Sequence, residues 1–455
     1  MKRRRRRRYR KNQGFGRKLL LSIALISCAF IGIYAFAKSA AYKTNERKQE
    51  YEDSPKNLEA DSAADSALAE QPEEQNDTSE LPSQAGQAEH NAEAPKQGKQ
   101  ELTKEELLEQ EIEAYLDKMT LEEKICQMFI LTPEQLTGIS PVTAAGETTK
   151  NRLMEYPVGG LIYFAQNLVS EEQTKEMLAN TKEYAAEIGA PPLFFCIDEE
   201  GGRVARIGKN AAFQVEHVKP MGEITDEEEA YEAGVTIGRY LSELGFNTDF
   251  APDADVMTNE QNTVIGDRSF GSDPQTVAHM AAAVSDGLHK EGILSAFKHF
   301  PGHGATKGDT HDGYAYTERT YEELRAAELV PFEEARECGA DMVMAAHISL
   351  PNVLGDNTPA TLSYRMITEI LREDLGFQGL VVTDALNMGA ISQNYSSKEA
   401  AVKAVESGVD LLLMPKDFLE AYEGIREAVS GGRISEERIS ESVRRILHTK
   451  LFMEQ

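Results

Sequence analysis

From about Leu102 onward the chain alternates short apolar runs with longer stretches whose apolar positions recur every three or four residues between charged faces. The first pattern is that of strands buried on both sides, the second that of amphipathic helices, and their alternation predicts parallel strands joined by helical crossovers. The predicted strands are Met128 to Leu131, Leu161 to Phe164, Leu193 to Ile197, Thr248 to Ala251, Leu294 to Lys298, Met342 to Ala346, Leu380 to Thr383 and Leu411 to Met414. Helices are predicted over Glu171 to Ile188, Pro274 to Glu291, Tyr321 to Cys338 and Tyr364 to Leu375. Eight strands are the barrel number, and polar residues follow nearly every strand end: Asp198, Asp253, His299, His347 and Asp384. Many strand ends converging on one site is a property of a closed barrel, so the expected fold class is α/β, a single (β/α)8 TIM-type barrel over residues 102–455. An open doubly wound sheet ranks second.

The pattern ahead of the barrel is different. Residues 1–18 carry 11 Lys and Arg and no acid, and residues 19–37 are an uncharged apolar run whose helix would span ~28 Å, about one bilayer core. Positive charge stays on the cytoplasmic side, so the remainder is expected outside, behind a retained signal anchor or a cleaved signal peptide. The location this implies is a cell membrane with the folded domain extracellular, or secretion if the segment is removed. Residues 38–101 are an acidic linker: between Gln49 and Gln100 stand 13 acids against 3 Lys, with Leu58, Leu68 and Leu81 the only aliphatics larger than Ala. Such a stretch cannot bury a core and reads as a disordered spacer.

Composition narrows the function classes. The net charge of −28 includes the basic leader, so the body is more acidic still and a nucleic-acid partner is not expected. Cys28, Cys126, Cys196 and Cys338 are widely spaced, which argues against a disulfide framework or a thiolate zinc site. Hydrophobic content of 41% supplies a sizeable core, so stability must come from packing.

The fifth strand runs into Lys298-His299-Phe300-Pro301-Gly302-His303-Gly304, and a Gly-rich loop then delivers Asp309-Thr310-His311-Asp312-Gly313. Asp309 could hold one imidazole nitrogen of His311 and leave the other free to give or take a proton near neutral pH. A solvated loop His beside a helix-capping Asp fits the same spacing. Three His and an Asp could also be a metal set, but the pair His299 and His303 straddles Pro301-Gly302 and so does not lie on one helical face. No metal and no cofactor is expected.

The stretch KHFPGHGATKGDTHDG closely resembles the corresponding loop of glycoside hydrolase family 3, particularly its bacterial β-N-acetylglucosaminidases (β-N-acetylhexosaminidases). Further matches follow in the family's order: Met119 to Lys124, the Asp198 to Arg206 segment, Ile265-Gly266-Asp267-Arg268-Ser269-Phe270 and Val381 to Leu386. Together they span about Glu105 to Phe452. The resemblance implies that Asp384 attacks the anomeric carbon and that His311, oriented by Asp309, serves as acid and then base. It implies that Asp198, Arg206, Arg268, Lys298 and His299 grip the sugar hydroxyls and the N-acetyl group. Two departures stand out. Thr310 replaces the usual Ser, and the stretch Thr248 to Val256 is richer in acids than the family's apolar version.

Retaining hydrolysis normally uses two carboxyls, and many family members take the acid from a second, C-terminal domain. This chain ends at Gln455, soon after the last expected barrel helix, so the acid is expected from the barrel itself. A His in that role keeps a second negative group away from Asp384. The expected function is an exported retaining β-N-acetylhexosaminidase releasing terminal N-acetyl-β-glucosaminyl units, with cell-wall (peptidoglycan) fragments as oligosaccharide substrates. The alternatives are a β-N-acetylglucosaminide phosphorylase and a catalytically inactive sugar-binding receptor on the same barrel, with a metallohydrolase last.

Overall fold

The structure is a computed structural model that describes residues 103–310 and 313–453. The expected basic leader 1–18, apolar span 19–37 and acidic linker 38–101 lie outside the described residues, as does His311. Among the described residues no helix is long and apolar enough to cross a membrane.

Among the described residues ten strands form: β1 Phe129–Leu131, β2 Gly160–Ile162, β3 Phe194–Ile197, β4 Thr248–Asp249, β5 Leu294–Phe300, β6 Ala315–Tyr316, β7 Met342–Ala345, β8 Ile348–Ser349, β9 Leu380–Thr383 and β10 Leu412–Leu413. Eight of them pair in parallel in the order β10-β1-β2-β3-β4-β5-β7-β9. The ring closes between β9 and the start of β10, where the Thr383 N–H donates to Leu411 O at 2.9 Å and the Leu411 N–H to Val381 O at 3.0 Å. The expected (β/α)8 barrel is therefore present. All eight strands are buried along their length, as continuous apolar runs with helices outside and a packed barrel core inside require.

The crossover helices begin where short polar residues can cap them. Ser170, Asp226, Asp273 and Ser396 each accept a backbone N–H from the first turn, and Pro274 follows Asp273 where its missing N–H costs nothing. The helices Glu227–Leu244 and Pro274–Lys290 pack with almost no space between backbones: a Cβ on Gly234 would lie 2.3 Å from Val284 O, and one on Gly287 2.3 Å from Tyr231 O.

Three details differ from expectation. The single helix expected from Tyr321 to Cys338 is two, Tyr321–Ala326 and Val330–Glu337. Pro331 cannot donate to a continuous helix, and the break turns Glu328 into the core, where it accepts from Thr258 Oγ1 at 2.8 Å and pairs with Arg319 Nε at 3.0 Å. The helix Arg365–Asp374 is wider than an α-helix, ending with the Leu375 N–H on Ile370 O, five residues back. A small parallel sheet of β6 and β8 was not expected, because two-residue strands carry no alternation to read.

At the N-terminal end of the barrel a cavity of about 770 Å³ opens between the segment Ala190 to Leu193, the segment Gly245 to Asn247 and the last helix, Glu436–Phe452. Lys450 lines it.

Candidate active site

The C-terminal ends of β3, β5 and β9 deliver their following residues into one pocket of about 330 Å³. Asp198 and Glu200 come after β3, Lys298 and His299 from β5, and Asp384 directly after β9. Successive strand residues normally face opposite ways, yet Lys298 and His299 both reach the pocket. The pairing of β5 with β7 shifts register between Lys298 and Phe300, and such an irregularity re-aims side chains. Arg206 enters from a loop and Arg268 from the short 3-10 turn Gly266–Arg268, and Phe164, Met344, Met388 and Met414 supply apolar lining.

The charged groups form one connected network. Lys298 Nζ lies 2.6 Å from Glu200 Oε1 and 3.0 Å from Asp198 Oδ1. Arg268 clamps the same Glu200 with both fork positions, Nε to Oε2 at 2.8 Å and Nη2 to Oε1 at 2.7 Å. Arg206 reaches Asp198 Oδ2 at 3.4 Å and lies over the Phe164 ring at 5.7 Å. Burial by itself pushes the Glu200 carboxyl up, but Arg268 and Lys298 outweigh it and hold Glu200 well below the usual carboxylate range. Burial likewise acts to lower Lys298, and Glu200 and Asp198 outweigh it and raise the amine above its ordinary value. The pocket therefore presents fixed, ionised donors and acceptors at its floor, which suits a polyhydroxylated ligand.

The extra acids after β4 have a task. Asp255 accepts from His299 Nδ1 at 2.7 Å, from the His299 N–H at 3.3 Å and from the His303 N–H at 2.5 Å. His299 Nε2 stands 3.2 Å from Arg268 Nη2, and a guanidinium can only donate, so Nε2 accepts and Nδ1 carries the proton toward Asp255. Asp253 lies beside this pair, its Oδ2 3.5 Å from Arg268 Nη2. Burial first and the neighbouring Asp255 second push the Asp253 carboxyl up to about 7, whereas His299 and His303 overcome burial to lower Asp255. Asp253, Asp255 and His299 bring three donor atoms within 4.8 Å of one another, a set that could hold a metal ion. Arg268 already supplies positive charge at that spot.

The loop after β5 is tied to the segment that follows Asp384. Thr310 O accepts the Ala390 N–H at 3.0 Å, and the Thr310 hydroxyl lies 3.4 Å from His303 Nε2, whose ring is held on the other side by Thr306 Oγ1 at 2.9 Å. Thr310 thus uses its hydroxyl as a Ser would. Asp309 stands half-buried on the same loop, its carbonyl accepting the Gly313 N–H at 3.1 Å. Asp384 does not cap the next helix: Gly389–Ser392 starts after Met388, and Asp384 Oδ1 accepts instead from the adjacent Ala385 N–H at 2.7 Å. His347, also at a strand end, supports this turn from below with Nε2 3.1 Å from Ala385 O.

Asp198, Arg206, Arg268, Lys298, His299 and Asp384 are thus gathered in one pocket, with Asp309 on a loop attached to it and His311 outside the described residues. Glu200 and Asp255 complete the network and were missed as site residues. A signal existed: in the extended exit from β3, residues two apart share a face, so Asp198 implicates Glu200, and Asp253 implicates Asp255 in the same way.

The geometry defines a (β/α)8 barrel with a small, charge-rich pocket at its C-terminal mouth. The family model for the glycosyl hydrolase family 3 N terminal domain matches residues 120–449, and the chain belongs to that family. It is similar to beta-hexosaminidase A of Pseudoalteromonas piscicida, 35% identical over 326 residues that make up 66% of this chain and 54% of that protein. A beta-hexosaminidase of Nitrosomonas eutropha is 35% identical over 60% of this chain and 78% of its own length. Among solved structures, a glycoside hydrolase family 3 beta-N-acetylglucosaminidase from Paenibacillus sp. str. FPU-7 superposes with a TM-score of 0.69 at 38% identity, covering 74% of this chain and 64% of that one. The chain spans about half the length of the Pseudoalteromonas relative and under two thirds of the Paenibacillus one.

Proposed function

We propose that this chain is a retaining β-N-acetylhexosaminidase that releases terminal N-acetyl-β-glucosaminyl units. The observation that carries the reading is the meeting of Asp384 with Asp198, Arg206, Arg268, Lys298 and His299 in one pocket, in a family whose similar members are named hexosaminidases. In the first step an Asp384 oxygen bonds to the anomeric carbon as the bond to the leaving oxygen breaks, and His311 gives that oxygen its proton. In the second, His311 takes a proton from water, the water oxygen bonds to the anomeric carbon, and Asp384 is released. Asp309 orients His311 and stabilises its charged form. The fixed charges around Glu200 hold the sugar while this happens, and they support sugar binding by carrying no freedom to lose when it arrives.

The basic leader, the apolar run 19–37 and the acidic spacer support an exported enzyme tethered to a bacterial membrane, with cell-wall fragments as its substrates. Protease added to intact, wall-stripped cells is expected to digest it, and full protection reverses that topology.

The activity is tested on aryl glycosides. The full-length protein is expected to cleave the N-acetyl-β-glucosaminide far faster than the β-glucoside, and equal rates remove the substrate assignment. With an activated aryl leaving group, His311→Ala is expected to release a burst of phenol and then stall, and added azide, which needs no general base, should restore turnover and yield a β-glycosyl azide. Asp384→Ala should give neither. Sugar 1-phosphate as the main product in millimolar phosphate moves the enzyme to the phosphorylases.

A further inference from the structure

We infer that Glu199 is a positioning residue for sugar binding: it is the anchor that holds the loop 203–208 so that Arg206 projects into the pocket. This rests on the reading of that pocket as the sugar site. Glu199 is fully buried between Asp198 and Glu200 and, unlike them, takes no part in lining the pocket. Its carboxylate instead collects four donors. Oε2 accepts the N–H groups of Arg206 at 2.5 Å and Ile207 at 2.9 Å, and Oε1 accepts the Gly208 N–H at 2.7 Å and the Tyr240 hydroxyl at 2.9 Å.

Three successive backbone N–H groups aimed at one point form an anion-binding concavity, and here the anion is a side chain of the protein. A carboxylate has two oxygens and about four lone-pair directions, matching the four donors one for one, whereas an amide has a single oxygen. None of the four donors is a cation, so the loop backbone itself carries the compensation for a buried charge. The fit is close: a Cβ on Gly208 would stand 3.1 Å from Glu199 Oε1. Tyr240 belongs to the helix Glu227–Leu244, so the carboxylate ties the loop both to the barrel strand and to the outer helical layer. The Glu199 N–H is itself fixed, donating to Asp249 Oδ1 at 2.9 Å.

Arg206 is the first of the three residues held. Its guanidinium spans Asp198 and the Phe164 ring, and its Nε is buried with no hydrogen-bond partner among the described residues. A buried, unsatisfied N–H on a pocket-lining arginine is a donor left for a ligand oxygen, and its aim is set by a backbone that Glu199 holds. Glu199 acts through Arg206 and touches no substrate.

The test is a set of variants of the full-length protein assayed on aryl N-acetyl-β-glucosaminide. Glu199→Gln keeps the shape but turns an NH2 group toward backbone donors, and is expected to raise KM about tenfold while kcat stays within about twofold. Arg206→Ala also raises KM, and in that background Glu199→Gln should add less than about twofold, because residues acting as a unit are not additive. An unchanged KM, a fall in kcat alone, or full additivity overturns the proposal. Tyr240→Phe removes one hydroxyl and covers the case in which Glu199→Gln does not fold. It should raise KM about threefold and speed hydrogen exchange at the Arg206, Ile207 and Gly208 amides. Should the wild type cleave no N-acetylhexosaminide, the functional reading falls and the exchange measurement alone judges the anchor: wild-type exchange rates in Tyr240→Phe overturn it, and faster ones support it.

Discussion

Two fully buried lysines stand at opposite ends of the same barrel, and both touch the surroundings of β3. Lys298, at the C-terminal mouth, is held between Glu200 and Asp198, which follow that strand. Lys450, at the N-terminal base, donates to the neutral Gln127 Oε1 at 2.8 Å and lies 4.8 Å over the ring of Phe194, the strand's first residue. Burial disfavours both ammonium groups, but only at the mouth do carboxylates reverse the effect. Lys298 is raised above its ordinary value, and Lys450 is lowered by burial to about 7. One barrel thus keeps a charge in the pocket at its mouth, where carboxylates surround it, and disfavours the same charge at its base, where the neighbours are neutral.

Replacing the two lysines by an apolar side chain of similar length gives the sharpest contrast. Lys298→Met takes one cationic partner from both Glu200 and Asp198, and is expected to cost about 3–5 kcal/mol of stability and to lower kcat/KM by ~10³-fold or more, read by denaturant melts and aryl-glycoside kinetics. Glu200→Gln, which leaves Lys298 and Arg268 underpaired, should cost about 2–3 kcal/mol. Because folded Glu200 titrates below its ordinary 4.5, its contribution is complete above that pH and is lost only as acid drives the pH through the lower folded value. The Glu200→Gln deficit should therefore hold steady from neutrality to about pH 4.5 and close only below it.

Lys450→Met should do the opposite of Lys298→Met and raise stability by about 1–2 kcal/mol at pH 6. Between about 7, where folded Lys450 titrates, and its ordinary 10.5, the unfolded chain binds a proton that the folded chain does not, so wild-type stability climbs with pH. The advantage of Lys450→Met should fade over that window in melts at matched ionic strength. A loss of stability as large as that of Lys298→Met ends the contrast. The smallest change is expected from Gln127→Glu, which gives Lys450 a carboxylate but forfeits the Gln127 Nε2 bond to Pro157 O at 2.7 Å: a net shift under about 1 kcal/mol, with the amine titrating higher by NMR.

The barrel was legible because most of its strands lie in short apolar runs, many with a polar residue at or near the end, and that order survives any uncertainty over boundaries. The pocket was legible for the same reason at Asp198, His299 and Asp384. Partnerships were not. Arg268 finds Glu200 68 positions away in the chain, and nothing local to either residue announces it. Asp198, Glu199 and Glu200 read as three like acids, yet the strand exit sends the outer two into the pocket and the middle one behind it. The break between Ala326 and Val330 carried a visible cue in Pro331, which the regular apolar spacing around it obscured.

The cavity at the base of the barrel is more than twice the volume of the pocket at its mouth, about 770 Å³ against about 330 Å³. A small-molecule screen by thermal shift rewards any compound that fills empty space, wherever that space lies. A compound that fills the cavity at the base therefore raises the melting temperature at the end of the barrel where no chemistry is proposed, while leaving turnover intact. Ranking compounds by displacement of a bound sugar, instead of by stabilisation, is what separates an inhibitor from a filler.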